Sequence, residues 1–173
     1  MKRSEGNRPL RRRSSRGGAW APPLAAALLL LGHGALHAQA PPADAAVAEA
    51  PVDTTITLRT TGSNLEYSPS QITVKAGTRV RIRLVNDGTL PHNVVVTKDA
   101  DDIDMLGMAA FEASETGYVP VDYEDRMIAY SDLAVPGSTV EMTFVAPPAG
   151  EYLFVCLYPG HYNMMIGTLR SLP

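Results

Sequence analysis

The sequence predicts an all-β sandwich or barrel. From residue 54 onward, apolar and β-branched residues fall into short runs, several with strict apolar/polar alternation. Turn formers separate those runs, as at Pro136-Gly137 and Pro147-Pro148-Ala149-Gly150. Only one stretch spaces its apolar residues as a helix does. Many short strands at regular intervals are the pattern of two packed sheets or a closed one.

Residues 55–60 open the series and put Ile56 and Leu58 on one face. Residues 72–75 follow the Ser68-Pro69 break. Residues 78–85 alternate most clearly: Val80, Ile82 and Leu84 lie between Arg79, Arg81 and Arg83, so one face is core and the other wet. Asn86-Asp87-Gly88 reads as a turn, and the β-branched run 92–97 follows it. Residues 127–131, 139–145, 151–156 and 166–171 bring the number of strands to about eight. Residues 98–125 interrupt them with an acidic stretch. There Ile103, Met105, Leu106, Met108, Ala109 and Phe111 recur at helical spacing, which predicts a short helical flap over residues 101–115.

Charge divides the chain into three parts. Residues 1–40 hold seven of the 15 Lys and Arg and one acid, Glu5, whereas eight basic residues face seventeen acidic ones from 41 onward. The head is laid out as a secretory signal: Lys2, Arg3, Arg8, Arg11–Arg13 and Arg16, then an apolar run from 19 to 31, then Ala38-Gln39-Ala40 as the small-x-small cleavage pattern. Cleavage falls after Ala40 or, because Pro41 follows it, after Ala38. The apolar run is short against the ~20 residues of a bilayer span. Export, for instance to a periplasm, is therefore expected, and an uncleaved membrane tether is the alternative. Residues 41–53 are Ala, Pro and acid without apolar period, a flexible tail or linker. The folded domain is then 54–173, large enough for a core without disulfides. Its acidic balance argues against nucleic acid as a partner.

Chemistry concentrates in one constellation. Two of the four histidines, His33 and His37, fall in the leader, so the mature chain keeps His92, His161 and the sole cysteine, Cys156. Taken singly, a cysteine on an apolar strand is usually a small buried hydrophobe, and Met164 and Met165 usually pack. Jointly they read otherwise. Cys156-Leu-Tyr-Pro-Gly-His161 sets thiol and imidazole across a turn tightened by Pro159 and Gly160, and a methionine follows at Met165. One thiolate and two imidazoles with a long thioether contact suit one copper ion, Cu(II) or Cu(I).

The segments Leu90-Pro-His-Asn-Val-Val-Val96 and Cys156-Leu-Tyr-Pro-Gly-His-Tyr-Asn-Met-Met165 resemble the two copper-binding stretches of cupredoxins, most nearly azurin and the auracyanins. The resemblance runs through Ile128-Ala-Tyr-Ser and covers nearly everything from residue 54. It implies an eight-stranded Greek-key sandwich, a type 1 (blue) copper, and metal ligands His92, Cys156, His161 and Met165, the methionine standing four residues after the histidine as in azurin. It gives Asn93 the role of joining the ligand loops, with its backbone N–H toward the thiolate. Pro91 stands where azurin has glycine, as in plastocyanin, and Val94 replaces azurin's buried tryptophan. Azurin's disulfide needs a second cysteine.

The expected function is an extracytoplasmic electron carrier, monomeric, serving a redox partner such as a c-type cytochrome or a membrane redox complex. Enzymatic work is not expected, because both mature histidines are used as ligands. Copper delivery or storage through Met105, Met108 and Met164 is the alternative, although core packing also accounts for those methionines. The partner face is expected to combine Leu90, Pro91, Leu157, Pro159 and Tyr162 around His161, with Asp99, Asp101, Asp102 and Asp104 adding attraction for a basic partner.

Overall fold

The computed structural model describes residues 50–173, which belong to one compact unit, Ala46–Pro173. The expected leader, and the tail as far as residue 49, lie outside the described residues. Eight strands form: β1 (Thr54–Gly62), β2 (Gln71–Lys75), β3 (Arg79–Gly88), β4 (Val95–Thr97), β5 (Met127–Tyr130), β6 (Thr139–Val145), β7 (Gly150–Val155) and β8 (Ile166–Leu172). One α-helix, α1 (Asp102–Ala109), and short 3-10 turns lie between β4 and β5. The strands make two sheets, β1-β3-β6 and β2-β8-β7-β4-β5. Among the described residues no helix is long and apolar enough to cross a membrane.

The inner face of β3 is the predicted one: Val80, Ile82 and Leu84 are buried, while Arg81 and Arg83 turn outward to pair with Glu141 of β6. The strand runs further than expected, because Asn86-Asp87-Gly88 continues the ladder with β1 instead of turning. The buried Asn86 side chain explains this. It accepts from Thr60 Oγ1 at 2.8 Å and donates to the carbonyls of Leu90 and Ala134, each at 2.8 Å. A local turn signal is thus overridden by two tertiary hydrogen bonds, to Thr60 and Ala134, with a local one to Leu90 beside them.

Strand β4 and the end of β7 are buried on both faces. Val94, Val96, Phe154 and Cys156 point into the core between the sheets, whereas Val95, Val155 and Leu157 point the other way into a second cluster. Ile103, Leu106 and Ala110 of the flap complete that second cluster. An unbroken apolar run is what a doubly covered strand requires. The flap therefore roofs β4 and β7. Its α-helix ends at Ala109 and 3-10 turns take over the rest of the predicted 101–115 span. Of its predicted apolar set only Ile103 and Leu106 are buried; Ala109 is half-buried, Met105, Met108 and Phe111 are exposed, and the adjacent Ala110 is buried instead. Core packing, the sequence-based reading of Met105 and Met108, does not hold.

Candidate metal centre

The predicted strand 92–97 begins only at Val95, and this late start sets the first ligand segment. Pro91 has no N–H for a ladder. His92 instead pairs with Ala134, donating its N–H to that carbonyl at 3.0 Å and accepting the Ala134 N–H at 2.7 Å. The imidazole is fully buried. Cys156 sits one residue beyond β7, its N–H bonded to the Met165 carbonyl at 3.0 Å. Between them the chain makes a tight coil: the His161 N–H reaches the Tyr158 carbonyl at 2.9 Å, and the Met165 N–H reaches the His161 carbonyl at 2.8 Å. Gly160 takes φ 84°, a left-handed conformation that suits glycine.

These turns bring three donors together. Cys156 Sγ lies 3.8 Å from His92 Nδ1 and 3.5 Å from His161 Nδ1, and all three atoms fall within 4.8 Å of one another. An ion bound at ~2.0–2.3 Å from such donors in a trigonal plane would space them by about 3.7 Å. The donor set fits a metal of that kind. Met165 is fully buried in the same core cluster as Cys156, whereas its neighbour Met164 is 62% exposed. That exposure removes Met164, too, from the core-packing reading.

Burial controls the protonation of the metal-free site. Desolvation, with His161 nearby, lowers His92 to about 4, and desolvation lowers His161 as well. Both imidazoles are neutral at neutral pH and present free lone pairs. Burial pushes the Cys156 thiol up to about 11, against the backbone N–H groups of Asn93 and Tyr158 and the Tyr67 hydroxyl, which favour the thiolate. Loading a metal near neutral pH therefore displaces one proton, from sulfur. His92 Nε2 is buried without a hydrogen-bond partner among the described residues, so packing, including the His161 ring with centroids 5.1 Å apart, holds the imidazole.

A family model described as copper binding proteins, plastocyanin/azurin family, matches residues 54–170. The chain belongs to that family. Auracyanin-A of Chloroflexus aurantiacus is 39% identical over 120 residues, which cover 66% of this chain and 72% of the relative. The solved structure of auracyanin A, a "blue" copper protein of that green thermophilic photosynthetic bacterium, is similar with TM-score 0.65 and 36% identity, covering 68% of this chain and 98% of that one. Dithionite-reduced auracyanin from Roseiflexus castenholzii is similar with TM-score 0.65 and 32% identity, covering 71% of this chain and all (100%) of that one.

In this cupredoxin Asn93 joins the ligand segments. Its Oδ1 accepts the Leu157 N–H at 2.8 Å, and its Nδ2 donates to the Gly117 carbonyl at 2.9 Å. Two expectations about the surrounding surface need correction. Leu157 is fully buried under the flap and cannot join a surface patch. Asp102 is also buried, its carboxylate 3.2 Å from Arg126, because the helix start packs it inward. Sequence reasoning missed Tyr67, Ser131 and Ala134, which hold the backbone of the first ligand segment. None of them carries a metal-binding signature.

Proposed function

We propose that the protein is an exported one-electron carrier that cycles a single type 1 copper between Cu(II) and Cu(I), with His92, Cys156, His161 and Met165 as ligands. The observation that carries this reading is the buried triangle of one sulfur and two Nδ1 atoms within 4.8 Å, set on backbone that is hydrogen-bonded independently of any ion. Rigid donors leave little to rearrange when an electron arrives or leaves. Bound copper supplies the one-electron couple. The chain's own residues exclude water and deliver a thiolate and two neutral imidazoles in fixed positions. Met165 suits the fourth position because it is buried beside Cys156 and tied through its backbone to His161.

Burial also weighs against the other readings. His161, the most exposed of the four, is only 6% exposed, which leaves a substrate no open position at the metal. Donors sunk in a core suit retention of the ion better than its delivery.

Electrons are best passed near His161, the ligand closest to the surface. Leu90, Pro91, Pro159 and Tyr162 are partly exposed, and exposed Met164 lies on the same ligand loop. Asp99, Asp101 and Asp104 are exposed on or beside the flap, which favours a basic partner such as a c-type cytochrome or a membrane redox complex.

The visible spectrum tests the proposal. The Cu(II) protein is expected to be intensely blue from thiolate-to-copper charge transfer, and Cys156→Ser to lose the band while staying folded. A colourless protein with one Cu(II) per chain refutes the assignment. Electron-transfer rates with a basic cytochrome should fall as added salt screens exposed charges over ~8–10 Å; salt-independent rates remove the steering.

A further inference from the structure

Tyr67 comes from the connection between β1 and β2, far along the chain from both ligand segments, yet its phenol ends between them. It is the one buried tyrosine among the described residues. The ring packs on Phe154 with centroids 5.1 Å apart, and the hydroxyl donates to the Asn93 carbonyl at 2.6 Å. The same peptide is held at its other end, where the Val94 N–H donates to Ser131 Oγ at 3.0 Å. Asn93 also takes the Leu157 N–H on its side chain and turns its own N–H toward the Cys156 sulfur. Packing alone does not call for this hydroxyl, since a phenylalanine would fill the space without a polar group to bury.

We propose that Tyr67 is a positioning residue of the copper centre: its hydroxyl, spent on the Asn93 carbonyl, holds the segment whose Asn93 N–H faces the Cys156 sulfur, and so keeps in place a donor that favours the reduced ion. This rests on the copper reading above. Hydrogen bonding around the cysteine sulfur is one of the means by which such sites set their potential.

The test compares copper-loaded wild type with Tyr67→Phe, which keeps the ring on Phe154. Tyr152→Phe serves as a control, because it removes a hydroxyl bonded to the Pro148 carbonyl instead. Tyr67→Phe is expected to fold and bind one copper. Its redox equilibrium with a fixed mediator should move toward the oxidised protein by roughly fivefold, the factor one ordinary hydrogen bond is worth. The charge-transfer band should move as well, and Tyr152→Phe should change neither. A Tyr67→Phe protein with wild-type band and equilibrium, whatever its melting temperature, overturns the proposal, as does a shift the other way. The hydroxyl proton of Tyr67 is also expected to give a slowly exchanging NMR resonance in wild type, and rapid exchange with water overturns the proposal without any variant. A colourless wild type would count against the copper reading instead; the hydroxyl proton of the metal-free protein then decides whether Tyr67 holds Asn93.

Discussion

Asn93 Oδ1 accepts the backbone N–H of Leu157 at 2.8 Å, so the residue after His92 is bonded to the residue after Cys156. Both groups are buried. Asn93→Ala leaves the Leu157 N–H without an acceptor, a loss of ~1–3 kcal/mol. Denaturant unfolding of the metal-free protein should show this decrease, and the copper band of the variant should broaden as the two ligand segments loosen. Unchanged stability would mean that the bond contributes nothing net.

The two adjacent methionines should behave differently. Met165 is fully buried while Met164 is 62% exposed. Met165→Leu should keep the blue colour and move the reduction potential, since the axial group tunes it. Met164→Leu should leave the potential nearly unchanged. Equal shifts in voltammetry of the two variants would undo the assignment of Met165.

Gly107 in α1 opposes two effects that can be weighed. An added Cβ would lie 2.3–2.6 Å from three ring atoms of Tyr162, the residue after His161. Alanine gains roughly 1 kcal/mol of helix propensity over glycine, while overpacking of this kind costs ~1–3 kcal/mol. Gly107→Ala should therefore be destabilised by about 1 kcal/mol and show a perturbed copper band. A more stable variant in thermal unfolding would show that Tyr162 moves aside freely.

Metal-free stability should fall at both ends of the pH scale. His92 is lowered from 6.5 to about 4, so at pH 5 the unfolded chain binds a proton there that the folded chain does not. Unfolding takes up that proton, and stability drops as pH falls from about 6.5 to 4. Cys156 is raised from 9.0 to about 11, so unfolding releases a proton in that range and stability drops again as pH rises through it. Denaturant titrations across pH should show both limbs, the acid one reduced in His92→Asn. An acid limb of equal size in that variant would assign the effect elsewhere.

The fold class, the alternation on β3 and the Cys156–His161 part of the buried cluster were legible because each leaves a local mark: period two, turn residues, and a lone cysteine beside histidine. The runs 94–96 and 153–157 also carried a mark, since unbroken apolar sequence means cover on both faces, but what covers them was not local information. The flap supplies it through Ile103 and Leu106. Asn86 misled because its turn propensity is a property of the isolated peptide, and its bonds to Thr60 and Ala134 belong to the assembled sheets. Tyr67 was invisible for the same reason: nothing near it in sequence tells that its hydroxyl ends at Asn93.

The separation of the proposed donors along the chain bears on how the centre comes into being. Cys156, His161 and Met165 occupy one short stretch, while His92 stands 64 residues before Cys156. A partly folded chain can offer sulfur and one imidazole from that stretch, but the second imidazole arrives only when β4 has docked between β7 and β5. Blue colour during refolding would then report the docking of β4 against β7: the pigment would act as a clock for that one step of assembly.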